Sequence, residues 1–204
     1  LIVDAGAALE PRGHEGIAEI VARALSEGAA GRDAYEFGVA GEQLGASWRA
    51  STDWDSLRAG FEVPVNELAA ATQLLADAVR DAAFSDEALD RVLDERIDEI
   101  SIERSQPAVL ASEALGAALF SPTSRYAAPD GGTQASLDAL GREDIRRYRD
   151  SRLRKETATL VVVGDLADVD LDTLGGLVFD GWEGSASGGT PPDVGPQAPG
   201  RRIV

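Results

Sequence analysis

The sequence predicts an α+β domain, and three observations carry that reading. β-patterned segments stand near both ends of the 204-residue chain, LIVDAG at Leu1–Gly6 and TATLVVVG at Thr157–Gly164. ASWRAST and DSLRAGFEV flank Asp53-Trp54 as the two arms of a hairpin. Between these lie stretches whose apolar residues recur at helical spacing.

LIVDAG reads as a buried strand, followed by a loop from Leu9 to Glu15. The first helix spans about Gly16–Glu27 and stops at Gly28, with Ile17, Ile20, Val21, Ala24 and Leu25 as its buried stripe. A second face of that helix carries Glu19, Arg23 and Glu27 at intervals of four, with alternating charge. The second helix, Asp33–Leu44, has Asp33 as its N-cap and Gly45 as its stop. After the hairpin comes a third helix, Asn66–Asp81, with Leu68, Ala71, Leu75 and Val79 inward. The longest starts behind a Ser85 cap and runs to about Arg104, with Leu89, Val92, Leu93, Ile97 and Ile100 inward. A fifth begins near Pro107, a residue suited to the first turn, and ends around Phe120. Ser136–Tyr148 is the sixth, and Leu171–Val178 a short last one after the strand Thr157–Gly164.

From Gly184 the pattern changes. GSASGGTPPDVGPQAPG, residues 184–200, is rich in Gly, Pro and Ser without periodicity and reads as a linker. RRIV, residues 201–204, looks like the start of another strand. The expected organisation is therefore a domain over 1–183, a linker over 184–200 and the start of a further domain at 201–204. LIVDAG opens the sequence already in strand pattern, so an upstream segment is also expected.

Composition removes several function classes. A formal charge of −17 argues against nucleic acid as a partner, since phosphate binding needs clustered cations. No apolar run approaches the ~20 residues of a membrane span, and no signal peptide is visible. The chain has no cysteine, which excludes disulfides and thiolate metal sites and fits a cytoplasmic location. Lys155 is the only lysine, and with so much Ala, Gly and Asp the usage is that of a GC-rich bacterial genome. The single histidine, His14, lies in the Gly-flanked loop PRGHEG with no nucleophile motif nearby and reads as a solvated loop residue. No G-x-S-x-G, Walker loop or G-x-G-x-x-G occurs. DVDLD at Asp168–Asp172 starts like a calcium loop, but Thr173 and Phe179 stand where Gly and Glu are needed, so it reads as a turn before a helix.

The order of strand, GIAEIVARALSEGA, a helix ending LGAS, hairpin and FSDEALDRVLDERIDEI resembles the pitrilysin/insulinase metallopeptidases, in particular bacterial relatives of mitochondrial processing peptidase. The resemblance covers about Leu1–Trp182 and includes SPTSRYAAPDGGTQASLDALGREDIRRYRD and TLVVVGDL. It implies a mixed or antiparallel sheet with helices packed on one side. Active members carry H-x-x-E-H on the first helix, where two His bind zinc, the Glu acts as general base and a downstream Glu completes the site. In that register the first His position is Glu19, the base position Ala22, the second His position Arg23 and the third ligand position Glu99. Two of three ligands and the base are thus replaced.

Two readings of the charged face follow. In one, Arg23 stands where zinc would, held by Glu19 on its own helix and Glu99 on another. In the other, the face is a solvated stripe of i,i+4 pairs worth ~0.3–0.5 kcal/mol each. The resemblance implies a domain without peptidase activity and without a zinc cofactor of its own. It would form a peptide-binding chamber with a catalytic H-x-x-E-H subunit or the second half of the same chain, take extended peptide, and associate into oligomers. The alternatives are an active zinc endopeptidase whose missing ligands lie outside this sequence, and an assembly module that touches no peptide.

Overall fold

A computed structural model describes residues 1–182. The linker and the following strand read at 184–200 and 201–204 lie outside the described residues. The chain order is β1 (Ile2–Val3), α1 (Ile17–Ala24), β2 (Gly28–Ala29), β3 (Arg32–Asp33), α2 (Ala34–Gln43), β4 (Ser47–Thr52) and β5 (Leu57–Glu62). Then follow α3 (Leu68–Arg80), α4 (Asp86–Glu103), α5 (Pro107–Leu119), α6 (Gln134–Asp138), α7 (Arg142–Arg152), β6 (Ala158–Thr159) and α8 (Leu171–Phe179).

Four strands form an antiparallel sheet in the order β4-β5-β1-β6, and β2 and β3 make a separate two-stranded hairpin. The β4–β5 ladder is the longest, six residues on each side, from Ser47 opposite Glu62 to Thr52 opposite Leu57. β1 is the central strand but contributes only Ile2 and Val3 to its two ladders. One core joins sheet and helices through Val3, Leu57, Ile17, Ile20, Leu89 and Ile145, all buried. A smaller cluster of Phe37, Leu74 and Ala78 packs under α2, with Trp48 edge-on to Phe37 at 5.5 Å between ring centres.

Local chemistry explains most of the boundaries. Asp33 caps α2 by accepting from the Glu36 N–H, and the Asp33 N–H donates back to the Glu36 carboxylate. Ser85 caps α4 through the Ala88 N–H, and Pro107 opens α5, where its missing N–H is not needed. Gly16 precedes α1 at φ +96°, where a Cβ would also stand 2.8 Å from the Gly131 carbonyl. Asp170, inside DVDLD, caps α8 by accepting from the Asp172 and Thr173 N–H groups.

Three features differ from the expected elements. The helix read over Ser136–Tyr148 is two, α6 and α7. They part at Gly141, whose N–H turns to the Asp144 carboxylate and starts a new helix. The strand read over Thr157–Gly164 ladder-pairs only at Ala158 and Thr159, because β1 reaches no further along it. The β2–β3 hairpin comes between α1 and α2, made by Gly28 at φ +120° and a tight turn through Ala30 and Gly31, both also at positive φ.

Candidate functional site

The site is built where α1 lies between β4 and α4. Its first support is Glu10, whose side chain is fully buried. The Glu10 carboxylate accepts from the Gly16 and Ala18 N–H groups at 3.1 and 2.9 Å, so it satisfies donors that the start of α1 leaves free. Arg125 donates to the same carboxylate from Nε and Nη2 at 2.9 and 2.5 Å, tying the loop before α6 to the start of α1.

One turn further along α1, Glu19 and Arg23 share a face. The Arg23 Nε donates to Glu19 at 2.7 Å, and its two terminal nitrogens donate to the two Glu99 oxygens at 2.9 and 2.7 Å. This is a bidentate fork on Glu99, with a third bond to Glu19. The other Glu19 oxygen accepts from Thr52 Oγ1 of β4 at 2.8 Å. The structure thus brings Glu19, Arg23 and Glu99 together. Their side chains are 20%, 28% and 44% exposed, so the cluster lies at the rim of the fold with Glu99 as its most solvated member. Ala22, on the neighbouring face of α1, is wholly buried and brings no ionisable group.

The network extends on α4. Arg96 donates to Glu99 at 3.2 Å and to Glu103 at 2.7 and 3.1 Å, with a longer bond to the Gly131 carbonyl. Arg96 is 8% exposed, although its stripe on α4 is otherwise that of Leu89, Val92 and Ile100. Reading the charged face of α1 alone did not reveal Arg96, Glu103 or Thr52. The signal in the sequence was an arginine at a core-facing position of a helix whose carboxylates at 99 and 103 lie within reach.

Electrostatics follow the geometry. Hydrogen bonding to Glu99 holds the Arg23 guanidinium above its ordinary pKa against the opposing effect of burial, and Glu19 adds to the rise. The Arg23 hydrogen bond in turn holds the Glu99 carboxyl below the usual Glu range. At Arg96 burial works the other way, and the Glu103 carboxylate outweighs it.

The set does not fit zinc. A guanidinium cannot donate a lone pair, and its charge sits between the two carboxylates that would have to ligate the metal. Among the described residues no group of three or more His, Cys, Asp and Glu is arranged to hold a metal ion. His14 lies away from the cluster and points its Nε2 at Asp144, 3.8 Å away. Beside the network, α4, α5 and the turn before α6 enclose a cavity of about 600 Å³, lined in part by Trp54, Phe120, Tyr126, Arg96 and Glu103. Trp54 and Tyr126 pack at 4.7 Å between ring centres, and Arg125 lies over the Trp54 ring. No helix among the described residues is long and apolar enough to cross a membrane.

Comparison with known proteins bears on the family and the fold. The model of the insulinase family, peptidase family M16, matches residues 1–126, a span that holds Glu19, Ala22, Arg23 and Glu99. No curated protein matches. The fold is similar to the peptidase M16 inactive domain from Pseudomonas fluorescens, with a TM-score of 0.79 at 22% identity over 91% of this chain and 46% of that one. It is also similar to a protease from Helicobacter pylori, with a TM-score of 0.86 at 16% identity over 96% of this chain and 48% of that one. At these identities the likeness is one of fold, and the chain spans about half the length of either structure. With the family model matched over more than half of its length, the chain belongs to the insulinase family, peptidase family M16.

Proposed function

We propose that this chain is a non-catalytic insulinase-family domain that helps form a peptide-binding chamber with a catalytic partner. The observation that carries the proposal is Arg23, forked onto Glu99 and bonded to Glu19 at the positions where the resemblance puts zinc ligands. Peptide hydrolysis of the family's kind needs an activated water and a base beside it. Arg23 and Ala22 supply neither. One of the similar structures is described as an inactive domain, which supports the same reading. In this proposal the domain occupies 1–183, with 184–200 as a linker to a following domain that starts at 201–204. The absence of cysteine supports a cytoplasmic setting.

Two surfaces support a role in holding peptide. Among the described residues β4 is an edge strand, paired on one side, and it adjoins the ionic network through Thr52. Ala59 exchanges both backbone bonds with Leu1, so by alternation Arg58, Gly60 and Glu62 bond to β4. That leaves the N–H and C=O groups of Trp48, Ala50 and Thr52 facing outward, a row on which an extended peptide adds as a strand. α5 has no buried residue and turns Leu110, Leu115 and Leu119 to the surface. Such a face suits contact with a catalytic H-x-x-E-H subunit or with a second half of the parent chain.

Two measurements test the proposal. The purified chain is expected to hold no stoichiometric zinc and to cleave no peptide. About one tightly bound zinc per chain, or chelator-sensitive cleavage that follows the chain through purification, would overturn it. For peptide binding, Ala50→Pro removes one outward donor and spares the β4–β5 ladder. A fluorescent extended peptide titrated onto the chain together with its catalytic partner should bind at least tenfold more weakly to the variant. Equal binding would exclude β4 as the docking edge.

A further inference from the structure

An Asp-Gly pair can rearrange its own backbone, because the glycine nitrogen can attack the side-chain carboxyl with no Cβ to shield it. The chain has two such pairs, Asp130-Gly131 and Asp180-Gly181. They stand in different settings. Asp130 is exposed in the turn before α6, and the Gly131 N–H donates to its Oδ1 at 3.0 Å. The nitrogen that must attack therefore already lies against the carboxyl group, at the separation of a near-attack geometry. The Asp180 carboxylate instead folds back over the end of α8, where a Cβ on Gly176 would stand 3.1 Å from its Oδ2.

Two guanidinium groups flank the Asp130 pair. Arg125 donates to the Asp130 carbonyl at 3.1 Å, and a Cβ on Gly131 would stand 2.5 Å from the Arg96 Nη2. Both positive charges favour loss of the Gly131 amide proton. Arg96 is held in place by Glu103, so the same closeness favours glycine at 131. Arg80 likewise donates to the Asp180 carbonyl, at 2.7 Å, so the two pairs differ chiefly in where the carboxyl group lies.

We propose that Asp130 is a site of spontaneous isoaspartate formation, and that the product loosens this turn from α1. The Gly131 nitrogen gives up its proton and bonds to Cγ of the carboxyl in its acid form, and one water leaves. The five-membered imide then takes up one water. Opening at the former backbone carbonyl breaks that carbon's bond to nitrogen, so the chain runs through Cγ and the carbonyl becomes a free carboxylate. The sum is mass-neutral and needs no oxidant or cofactor. The new carboxylate forms where Arg125 already donates, and it competes with Glu10 for that guanidinium. The chain meanwhile gains a methylene in a turn without slack. A Cβ on Gly132 would overlap the Glu15 carbonyl, and one on Gly16 would stand 2.8 Å from the Gly131 carbonyl. The Arg96 bond to the Gly131 carbonyl, at 3.4 Å, is the longest of the ties and the first to be lost. This chemistry is independent of the function proposed above.

The test ages the 204-residue chain for several weeks at neutral pH and body temperature. Tryptic cleavage then releases Tyr126–Arg142, in which electron-transfer fragments distinguish isoaspartate from aspartate at 130. At least about fivefold more isoaspartate is expected at 130 than at 180, because only the first pair has its reacting groups in place. In urea the ratio should fall towards unity. The modified fraction, separated by chromatography, should melt at least about 3 °C below the fresh chain. Asp130→Glu would have to close a six-membered ring, and should age without either change. Equal modification at the two sites, a ratio that urea leaves unchanged, or a modified fraction that melts like the fresh chain would overturn the proposal.

Discussion

Replacing Arg23 with alanine tests whether the charge cluster is structural or surface decoration. The substitution removes three donors, one to Glu19 and two to Glu99. It also leaves two carboxylates facing each other across the vacated space. Bonds to charged groups contribute about 1.5–3 kcal/mol when shielded, and exposed pairs about 0.2–1 kcal/mol. The site lies between these limits. Glu19 is 20% exposed and keeps its bond from Thr52, and Glu99 is 44% exposed and keeps Arg96. The expected loss is therefore about 1–2 kcal/mol, read as a fall in Tm of about 2–8 °C. The double variant Arg23→Ala, Glu99→Gln should recover part of it, because one of the opposed charges is gone. The pH dependence has a definite sign. Arg23 holds the folded Glu99 pKa below its unfolded value, so its contribution is present above the ordinary Glu range and is lost as pH falls through it. Urea unfolding of the wild-type chain should therefore show stability falling more steeply from pH 5 to pH 3 than in Arg23→Ala. A variant within ~0.3 kcal/mol of wild type with an identical pH slope would refute the reasoning and make the cluster a solvated stripe.

The register assignment has its own test, since the triple variant Glu19→His, Ala22→Glu, Arg23→His places H-x-x-E-H on α1 with Glu99 opposite. It should bind about one zinc per chain and gain thermal stability that a chelator removes; a variant that folds and binds none would reject the register. Glu10→Ala should cost about 3–5 kcal/mol by urea unfolding, because Arg125 is left buried without its counter-charge and the first N–H groups of α1 lose their acceptor. A loss under ~1 kcal/mol would show that water replaces the carboxylate. Tyr148→Phe should cost about 1 kcal/mol, since the buried hydroxyl donates toward the Ala5 and Gly6 carbonyls just after β1; no change in Tm would show those carbonyls to be satisfied otherwise.

Legibility in the sequence followed the range over which each determinant acts. Caps and turns act over three or four residues, so Asp33 and Ser85 marked the starts of α2 and α4, and Pro107 that of α5. The apolar stripe of α1 was equally legible, since Ile17, Ile20, Val21, Ala24 and Leu25 are all buried. Gly141 gives no stop signal by itself, because a glycine inside a periodic pattern is tolerated. The Asp144 carboxylate three residues on accepts from its N–H and starts α7 there. TATLVVVG has strong β propensity over its whole length, yet a ladder needs a neighbour, and β1 extends only far enough to pair two of those residues. Propensity describes a segment, whereas pairing depends on what lies beside it. The site divides in the same way. Glu19 and Arg23 were legible as an i,i+4 pair, and Glu99 through the resemblance. Thr52 and the burial of Arg96 depend on how β4 and α4 pack against α1, which no local pattern encodes.

The elements joined at this site show how side chains alone tie α1 to α4. Glu19 and Arg23 belong to α1, Glu99, Arg96 and Glu103 to α4, Thr52 to β4, and Gly131 to the turn before α6. A zinc ion bound by α1 and α4 would fix the first two elements relative to each other through bonds of about 2 Å. The forked guanidinium spans the same two helices with three charge-assisted bonds, reaches β4 through Glu19 and Thr52, and needs no ion from solution. It also neutralises carboxylates that would otherwise repel across the gap. Lysine in its place would offer a single ammonium, unable to meet both Glu99 oxygens in one plane while bonding Glu19. Arg23→Lys should therefore fall between wild type and Arg23→Ala in urea unfolding, with the larger part of the loss assignable to Glu99 by a double-mutant cycle. Wild-type stability in Arg23→Lys would show that only the charge at position 23 matters and that the fork geometry contributes nothing.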